Sequence, residues 1–124
     1  MKRIVIADDS GTARMMIRRC LEIIGLSDAE FEEARDGREA LEIMKKNPPD
    51  LLVSDLNMPS MSGETLLKWV KANPKLVDIP VLVISSVTNP AKKAELEKNG
   101  AFAVIGKPVN PALLNEALAP ILSE

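Results

Sequence analysis

The sequence predicts an α/β fold, in which helices cover both faces of a parallel sheet of five strands. Three observations favour this class. Short apolar runs alternate with longer amphipathic segments along the 124 residues, as they do in repeated strand–helix units. Four of the five runs are rich in valine, isoleucine or leucine, which is typical of parallel strands buried on both faces. These four runs also end in polar or charged residues, and right-handed crossovers would bring those ends to one edge of the sheet.

The predicted strands cover residues 3–7, 29–34, 51–54, 81–85 and 103–106. The second differs in composition, because it mixes three glutamates with Phe31. Charged side chains discourage pairing with other chains, so this composition indicates an edge strand.

Capping residues mark the first two helices. Ser10 is suited to begin the first helix, and Gly25 follows its last apolar residue. Asp36 can cap the second helix, and Glu39 three residues later completes a capping box. Pro48 and the proline after it end that helix.

The third helix is predicted over residues 63–72, where Asn73-Pro74 stops it. Asn89 caps the fourth helix with Pro90 at its first position, and Gly100 closes it.

The fifth helix begins at Asn110-Pro111. Pro120 lies inside its apolar period and should kink or end the helix near Ala119, so we expect a short or bent last helix. The apolar residues expected to face inward are Leu113, Leu114, Ala117, Leu118 and Ile121.

Composition narrows the possible functions. The formal net charge is −2, which gives no general attraction to nucleic acid or anionic membranes. The chain has no histidine, so a histidine-based metal site or nucleophile–base pair is excluded. Its one cysteine, Cys20, lies in a helical apolar pattern and is expected to be buried. No apolar stretch is long enough to span a membrane. We therefore expect one domain over residues 1–124, located in the cytoplasm.

Polar residues at the predicted strand ends suggest a site. Asp8 and Asp9 follow the first strand, Asp55 the third, and Lys107 the fifth, while Ser85 ends the fourth. An aspartate alone in such a place is usually a solvated acid. Clustered carboxylates, however, repel one another unless a cation is present, and with oxygen ligands only the expected ion is Mg²⁺. This set can hold Mg²⁺ and a phosphoryl group together.

These residues resemble the receiver domain of bacterial response regulators. The matching features, in order, are Asp8-Asp9, the Ser-Asp-Leu-Asn-Met-Pro stretch around Asp55, Gly63, Ser85 and Lys107-Pro108. The resemblance runs from about Lys2 to the last helix, and its nearest counterparts are single-domain chemotaxis regulators. It implies a flavodoxin-like (βα)5 doubly wound sheet with strand order 2-1-3-4-5, in which the first and third strands are neighbours.

The resemblance also implies a role for each site residue. Asp9 and Asp55 would ligate Mg²⁺ directly, the backbone carbonyl of Asn57 would supply a third ligand, and Asp8 would act mostly through water. Asp55 would accept a phosphoryl group as an acyl phosphate. Lys107, paired with Asp55 beforehand, and the Ser85 hydroxyl would bind that group.

The function implied is a phosphorylation-dependent signalling switch of a two-component system rather than an enzyme with a separate substrate. The donor would be a sensor histidine kinase or a phosphotransfer protein presenting phosphohistidine. Output would pass to a downstream protein target through the fourth helix, fifth strand and fifth helix, with no direct contact to nucleic acid or membrane. The chain would be a monomer or a weak phosphorylation-dependent dimer. The Lys107–Pro108 peptide bond would be cis.

The chain departs from the family where an aromatic residue is common, three residues before the lysine. Val104 stands there, so either Phe102, expected on the same strand face if alternation holds, replaces the aromatic, or switching is weaker or follows another route. Asn57 and Val87 occupy positions that, by resemblance, tune hydrolysis of the acyl phosphate. Val87 cannot hydrogen-bond a water, which favours moderately slow dephosphorylation. Ser86, also small, leaves room for phosphate and is an alternative source of the hydroxyl.

Three other classes share parts of the pattern. A haloacid-dehalogenase-like phosphatase also uses a strand-end aspartate, but its two aspartates are separated by one residue, whereas Asp8 and Asp9 are adjacent. A flavodoxin-like electron carrier would need aromatics around its flavin and a phosphate loop that is not acidic. A receiver that only docks usually lacks one of the acids, the hydroxyl or the lysine, and none is missing here.

Overall fold

The computed structural model of the protein describes residues 1–86 and 89–122. Its strands are β1 (Arg3–Ala7), β2 (Glu30–Ala34), β3 (Leu51–Asp55), β4 (Val81–Ser85) and β5 (Ala103–Gly106). They form one parallel sheet in the order β2-β1-β3-β4-β5. The predicted fold class and strand order are confirmed, and the glutamate-rich β2 is an edge strand.

The helices agree closely with the capping pattern. They are α1 (Gly11–Leu21), α2 (Gly37–Lys46), α3 (Gly63–Ala72), α4 (Pro90–Lys98) and α5 (Pro111–Leu122). A π-helical turn, Glu22–Leu26, continues α1. Gly25 has φ 110° within that turn, a conformation that glycine adopts without the penalty of a side chain.

The predicted helix caps are confirmed by hydrogen bonds. The Ser10, Asp36 and Asn89 side chains each accept from the backbone N–H three residues later. The capping box of α2 is modified, because the Glu39 carboxylate accepts from the backbone N–H of Arg35 at 3.4 Å rather than from that of Asp36.

Two cores lie on opposite faces of the sheet. Helices α2, α3 and α4 pack on one face, where Leu66 and Val70 are buried. Helices α1 and α5 pack on the other, where Ile17 and Leu118 are buried. Cys20 belongs to this second core as predicted, and burial raises the pKa of its thiol. In the described ranges no helix combines the length and the apolar character needed to cross a membrane.

Helix α5 corrects two expectations. It continues to Leu122, so of the two alternatives given for Pro120, a kink or an end near Ala119, the end is wrong. Pro120 removes only one hydrogen-bond donor so close to the helix end, and Ile121 and Leu122 pack against the α1-side core, which offsets that loss. Leu113, expected to face inward, is instead exposed.

Candidate functional site

The ends of β1 and β3 bring three carboxylates together. Ala7 pairs with Ser54 in the sheet register, so the residues that follow, Asp8 and Asp55, lie side by side. Both are buried, whereas Asp9 is exposed. One carboxylate oxygen from each of the three lies within 4.8 Å of the others. The predicted acid cluster is therefore present at this edge of the sheet.

Lys107 reaches this cluster from the end of β5. Its Nζ atom is 3.1 Å from Asp8 Oδ2 and 3.4 Å from Asp55 Oδ1. The sequence predicted the pairing with Asp55, but the shorter contact is to Asp8. The backbone N–H of Lys107 donates to the carbonyl of Ser85 at 2.9 Å, which fixes the start of the lysine beside β4. The peptide bond between Lys107 and Pro108 is cis, as expected from the resemblance.

The electrostatics of the pocket follow from this geometry. Burial, and then the charge of Asp8, raise the pKa of Asp55 above its usual value despite the opposing effect of Lys107. Burial lowers the pKa of Lys107, but its hydrogen bond to Asp8 and the charges of Asp55 and Asp8 outweigh it, so the pKa is raised overall. The lysine thus remains an ammonium at neutral pH, and the carboxylates hold more negative charge than it compensates.

The Asp55 side chain is held by the loop that follows it. Its Oδ1 accepts from the backbone N–H of Leu56 at 2.9 Å, and the carbonyl of Leu56 accepts from the N–H of Gly63 at 2.9 Å. The first residue of α3 therefore lies against the end of β3. This contact explains the glycine that the resemblance singled out at position 63.

Arg14 supports the site, and the sequence reasoning missed it. Its Nη1 donates to the backbone carbonyl of Asp8 at 2.7 Å, and its Nε donates to Glu33 Oε1 at 2.8 Å. The Asp8 side chain in turn accepts from the backbone N–H of Ser10 at 2.9 Å. Arg14 thereby ties the turn after β1 to β2. The available signal was its position, one helical turn after the capping serine on the side of α1 that faces the sheet.

The remaining predicted site residues differ in their exposure to solvent. Ser85 is buried at the end of β4, one sheet position from Lys107. Asn57 is exposed in the loop after β3, and Ser86 is exposed after β4. The roles of these three residues stay predictions. Val87, expected to influence hydrolysis, lies outside the described residues.

The expectation that Phe102 lies on the same strand face as Val104 is wrong, which favours the other alternative, weaker or differently routed switching. Phe102 precedes β5, so strand alternation does not apply to it. It packs in the core on the α1 and α5 side, whereas Val104 is buried in the core on the opposite face. Phe102 therefore cannot take over a side-chain rotation at the position of Val104.

The donor set fits Mg²⁺. The three clustered side chains offer carboxylate oxygens, and the predicted further ligand, the backbone carbonyl of Asn57, is also an oxygen, which is the ligand type that this ion prefers. The two buried acids, Asp8 and Asp55, share a single ammonium at 29% exposure, so a divalent cation would complete the compensation of charge. Asp9, the exposed member, is the acid open to an incoming ion.

The substitution Asp9→Asn tests whether these acids repel one another. Removing one negative charge from the cluster should raise the melting temperature in EDTA by about 2–4 °C. The same change should reduce the stabilisation gained on adding Mg²⁺, because one ligand is weakened. Thermal unfolding with EDTA and with Mg²⁺ measures both effects, with the exposed Asp28→Asn as the matched control. An unchanged midpoint and an unchanged response to Mg²⁺ would contradict the prediction.

A flavodoxin-like sheet with three acids and a lysine at its switch point is the arrangement expected of a signalling receiver. The family model described as the response regulator receiver domain matches residues 4–119. The chain therefore belongs to the response regulator receiver domain family of two-component signalling, and it is of the CheY type. Members are signalling proteins rather than classical enzymes, which removes the phosphatase and the electron carrier from the alternatives.

Comparisons with individual proteins agree with this family assignment. The chain is 36% identical over 119 residues to chemotaxis protein CheY-3 of Vibrio cholerae, covering 96% of this chain and 90% of that protein. It is 33% identical over 121 residues to the sensor histidine kinase TmoS of Ectopseudomonas mendocina, covering 98% of this chain but 12% of the kinase. Among solved structures, Vibrio cholerae CheY4 matches with a TM-score of 0.85 and 36% identity, covering 98% of each chain.

Proposed function

We propose that this chain is a phosphorylation-dependent switch, which accepts a phosphoryl group on Asp55 in a reaction that requires Mg²⁺. One observation carries the proposal: three carboxylates lie within 4.8 Å of one another, and two of them, Asp8 and Asp55, share the ammonium of Lys107. The donor would be phosphohistidine on a sensor histidine kinase or a phosphotransfer protein. The bond between phosphorus and the imidazole nitrogen breaks as a bond forms to an Asp55 oxygen, and the histidine leaves.

Each residue contributes a distinct step in this mechanism. Asp55 is the nucleophile, and the backbone N–H of Leu56 orients its carboxylate. Lys107 already points at Asp55 and would donate to the phosphoryl oxygens, with the Ser85 hydroxyl as a second donor. Asp9, Asp55 and the Asn57 carbonyl would hold Mg²⁺ directly, and Asp8 would act on it mostly through water. The bound ion would neutralise charge on the phosphoryl oxygens.

The signal would leave through α4, β5 and α5. Helix α4 suits this role because Leu96 is the one buried residue among its nine. An ion pair from Lys92 Nζ to Glu64 Oε2 on α3, at 2.6 Å, also holds this helix. So lightly packed a helix can shift when a bound group favours one of two positions. With Val104 buried on β5, the shift would proceed without rotation of an aromatic residue at that position.

The wider setting belongs to the same proposal. Residues 1–124 would form one receiver domain that acts in the cytoplasm on a downstream protein target, as a monomer or a weak phosphorylation-dependent dimer. It would catalyse only its own phosphotransfer and a moderately slow self-dephosphorylation.

Intact mass spectrometry after incubation with acetyl phosphate tests the chemistry. With Mg²⁺ the wild type should gain one phosphoryl group, because Asp55 is a carboxylate beside a bound cation. EDTA should abolish that gain, and so should Asp55→Asn, whose amide is not a nucleophile. Asp28→Asn, an exposed acid outside the site, should behave as wild type. Equal gain by Asp55→Asn would place the phosphoryl group elsewhere. If no adduct forms, binding of beryllofluoride would separate a short-lived adduct from a receiver that only docks.

A further inference from the structure

The single tryptophan of the chain lies exposed on the α2–α3 side of the molecule. Trp69, on α3, keeps 54% of its surface in water. The buried face of this helix consists of Leu66, Leu67 and Val70, so packing on the sheet does not require a large aromatic at position 69. Tryptophan, tyrosine and arginine are enriched among the few residues that supply most of the binding energy at protein interfaces.

Trp69 forms one wall of a groove between α2 and α3. A cavity of about 350 Å³ is lined by the apolar residues Trp69, Met61 and Leu41 and by the polar residues Arg38, Glu42, Lys45 and Ser60. A second cavity of about 410 Å³ shares Lys45 and continues past Pro74, Lys75 and Leu76. We call the two cavities together the α2–α3 groove. Apolar and charged side chains both line this groove, and a groove between two helices is a form of site that can accept an amphipathic helix.

The charge of the α2–α3 groove is opposite to that of the chain. The protein has a net charge of −2, yet the groove carries the cations Arg38, Lys45 and Lys75 against the single acid Glu42. None of the ion pairs in residues 1–86 and 89–122 involves these three cations. They are therefore available to a partner's carboxylates.

We propose that the α2–α3 groove binds an acidic amphipathic helix of a partner protein. Apolar side chains of that helix would pack on Trp69 and Met61, and its Asp or Glu residues would pair with Arg38, Lys45 and Lys75. The groove shares no side chain with the acid cluster, and the described contacts of Lys107 and Asp55 do not include it. The proposal is thus independent of phosphorylation at Asp55.

Fluorescence of Trp69 gives a direct test, because the chain has no other tryptophan. The probe is a 14-residue synthetic peptide without tryptophan, with leucine at helical i, i+3, i+4 and i+7 spacing and glutamate at most other positions. Two further peptides replace the glutamates by lysine or the leucines by serine. The unphosphorylated protein should show a saturable blue shift with the acidic, leucine-containing peptide, and no saturable shift with the other two.

Variants then locate the binding. Lys45→Glu should weaken binding of the acidic peptide by at least about tenfold, because the new glutamate would lie against the glutamates of the peptide. Lys98→Glu, the same change at an exposed lysine on α4, should leave the affinity unchanged. Trp69→Ser should abolish binding in calorimetry while circular dichroism shows an intact fold.

Three results would overturn the proposal. The first is no saturable shift with the acidic peptide up to millimolar concentration. The second is equal binding of the lysine peptide, which would mean apolar adhesion without charge recognition. The third is a shift produced by a single-stranded oligonucleotide and not by the acidic peptide, which would assign the groove to nucleic acid.

Discussion

Replacement of Lys107 by methionine is expected to lower the free energy of unfolding by about 2–3 kcal/mol at neutral pH in EDTA. Removing one partner of a buried charge pair leaves the other charge uncompensated, and the full penalty is reduced here because the lysine is partly exposed. Asp8 has no exposed surface and its 3.1 Å contact to Lys107 would be lost. Methionine keeps most of the apolar stem, so the effect comes from charge rather than from packing.

The stability deficit of Lys107→Met should depend on pH in a defined direction. Burial and Asp8 raise the folded-state pKa of Asp55 above its usual 3.8. Between 3.8 and the raised value the folded chain binds more protons than the unfolded chain, so this group makes stability rise as pH falls. Loss of the ammonium raises the pKa of Asp55 further. The deficit should therefore be largest at neutral pH and shrink as pH falls and Asp55 takes up its proton.

Lys107 itself acts at the other end of the pH scale. Its folded-state pKa is raised above the usual 10.5, so the stability it contributes is fully present below 10.5 and is lost as pH rises through the raised value. The free energy of unfolding of the wild type should therefore approach that of Lys107→Met only in strongly alkaline solution or on acidification. Between these limits the two proteins should differ by a nearly constant amount.

Urea unfolding in EDTA, at a series of pH values from 7.5 down into the acid range, measures the Lys107 effect. Lys75→Met is the control, because Lys75 is exposed and lies outside the acid cluster. Mg²⁺ should stabilise Lys107→Met more than it stabilises the wild type, since the variant's cluster carries more uncompensated charge. A deficit equal to that of Lys75→Met, or one that stays constant as the pH is lowered until the wild type itself unfolds, would mean that the ammonium does not hold the two buried acids.

The sequence predicted the fold from the apolar strands, and it predicted which residues form the site from the residues at the ends of those strands. Asp8, Asp55 and Lys107 each follow a strongly apolar strand, and parallel strands place such residues on one edge. That argument also needs the order of the strands, which the resemblance to receiver domains supplied, but it does not need the positions of individual atoms. It therefore predicted which side chains meet, although it did not predict that Lys107 lies nearer to Asp8 than to Asp55.

The failed predictions involve choices that periodicity does not determine. Phe102 lies just before β5, and alternation says nothing about a residue outside the strand. Arg14 was missed because it donates to the backbone carbonyl of Asp8. Every residue has a backbone carbonyl, so sequence spacing does not show which one a side chain reaches. Pro120 was expected to kink or end α5 near Ala119, but the helix continues to Leu122, because packing of Ile121 and Leu122 on the core outweighs a single lost hydrogen bond.

Substitution of Gly63 by alanine is expected to destabilise the fold by about 3 kcal/mol, near the upper end for overpacking. A Cβ atom at this position would lie 2.1 Å from the backbone oxygen of Asp55 and 3.0 Å from Leu56 Cα. These are backbone atoms at the end of β3, which cannot rotate aside as a flexible side chain can. Relief requires α3 to move away from the strand or the strand end to shift.

Gly11→Ala is a closely matched control for Gly63→Ala. Each glycine follows a capping serine, Ser10 or Ser62, and each is the first residue of its helix. At Gly11 the nearest atom to a new Cβ is Arg14 Nη2 at 3.4 Å, an ordinary contact. This variant should therefore be neutral or more stable by about 0.5 kcal/mol, through the reduced freedom of the unfolded chain. Urea unfolding of both variants measures the difference, and a Gly63→Ala midpoint equal to that of Gly11→Ala would show that the strand end yields easily.

The response of Gly63→Ala to Mg²⁺ then shows which part of the structure moves. If the end of β3 shifts, Asp55 leaves the oxygen cluster, and both the stabilisation by Mg²⁺ and the gain of mass from acetyl phosphate should fall with the free energy of unfolding. If α3 moves instead, stability should fall while both site measurements keep their wild-type values. We expect the first outcome, because the clash is with the carbonyl of Asp55 itself and the N–H of Gly63 is hydrogen-bonded to Leu56. The glycine at position 63 would then be needed to hold Asp55 in place as well as to begin a helix.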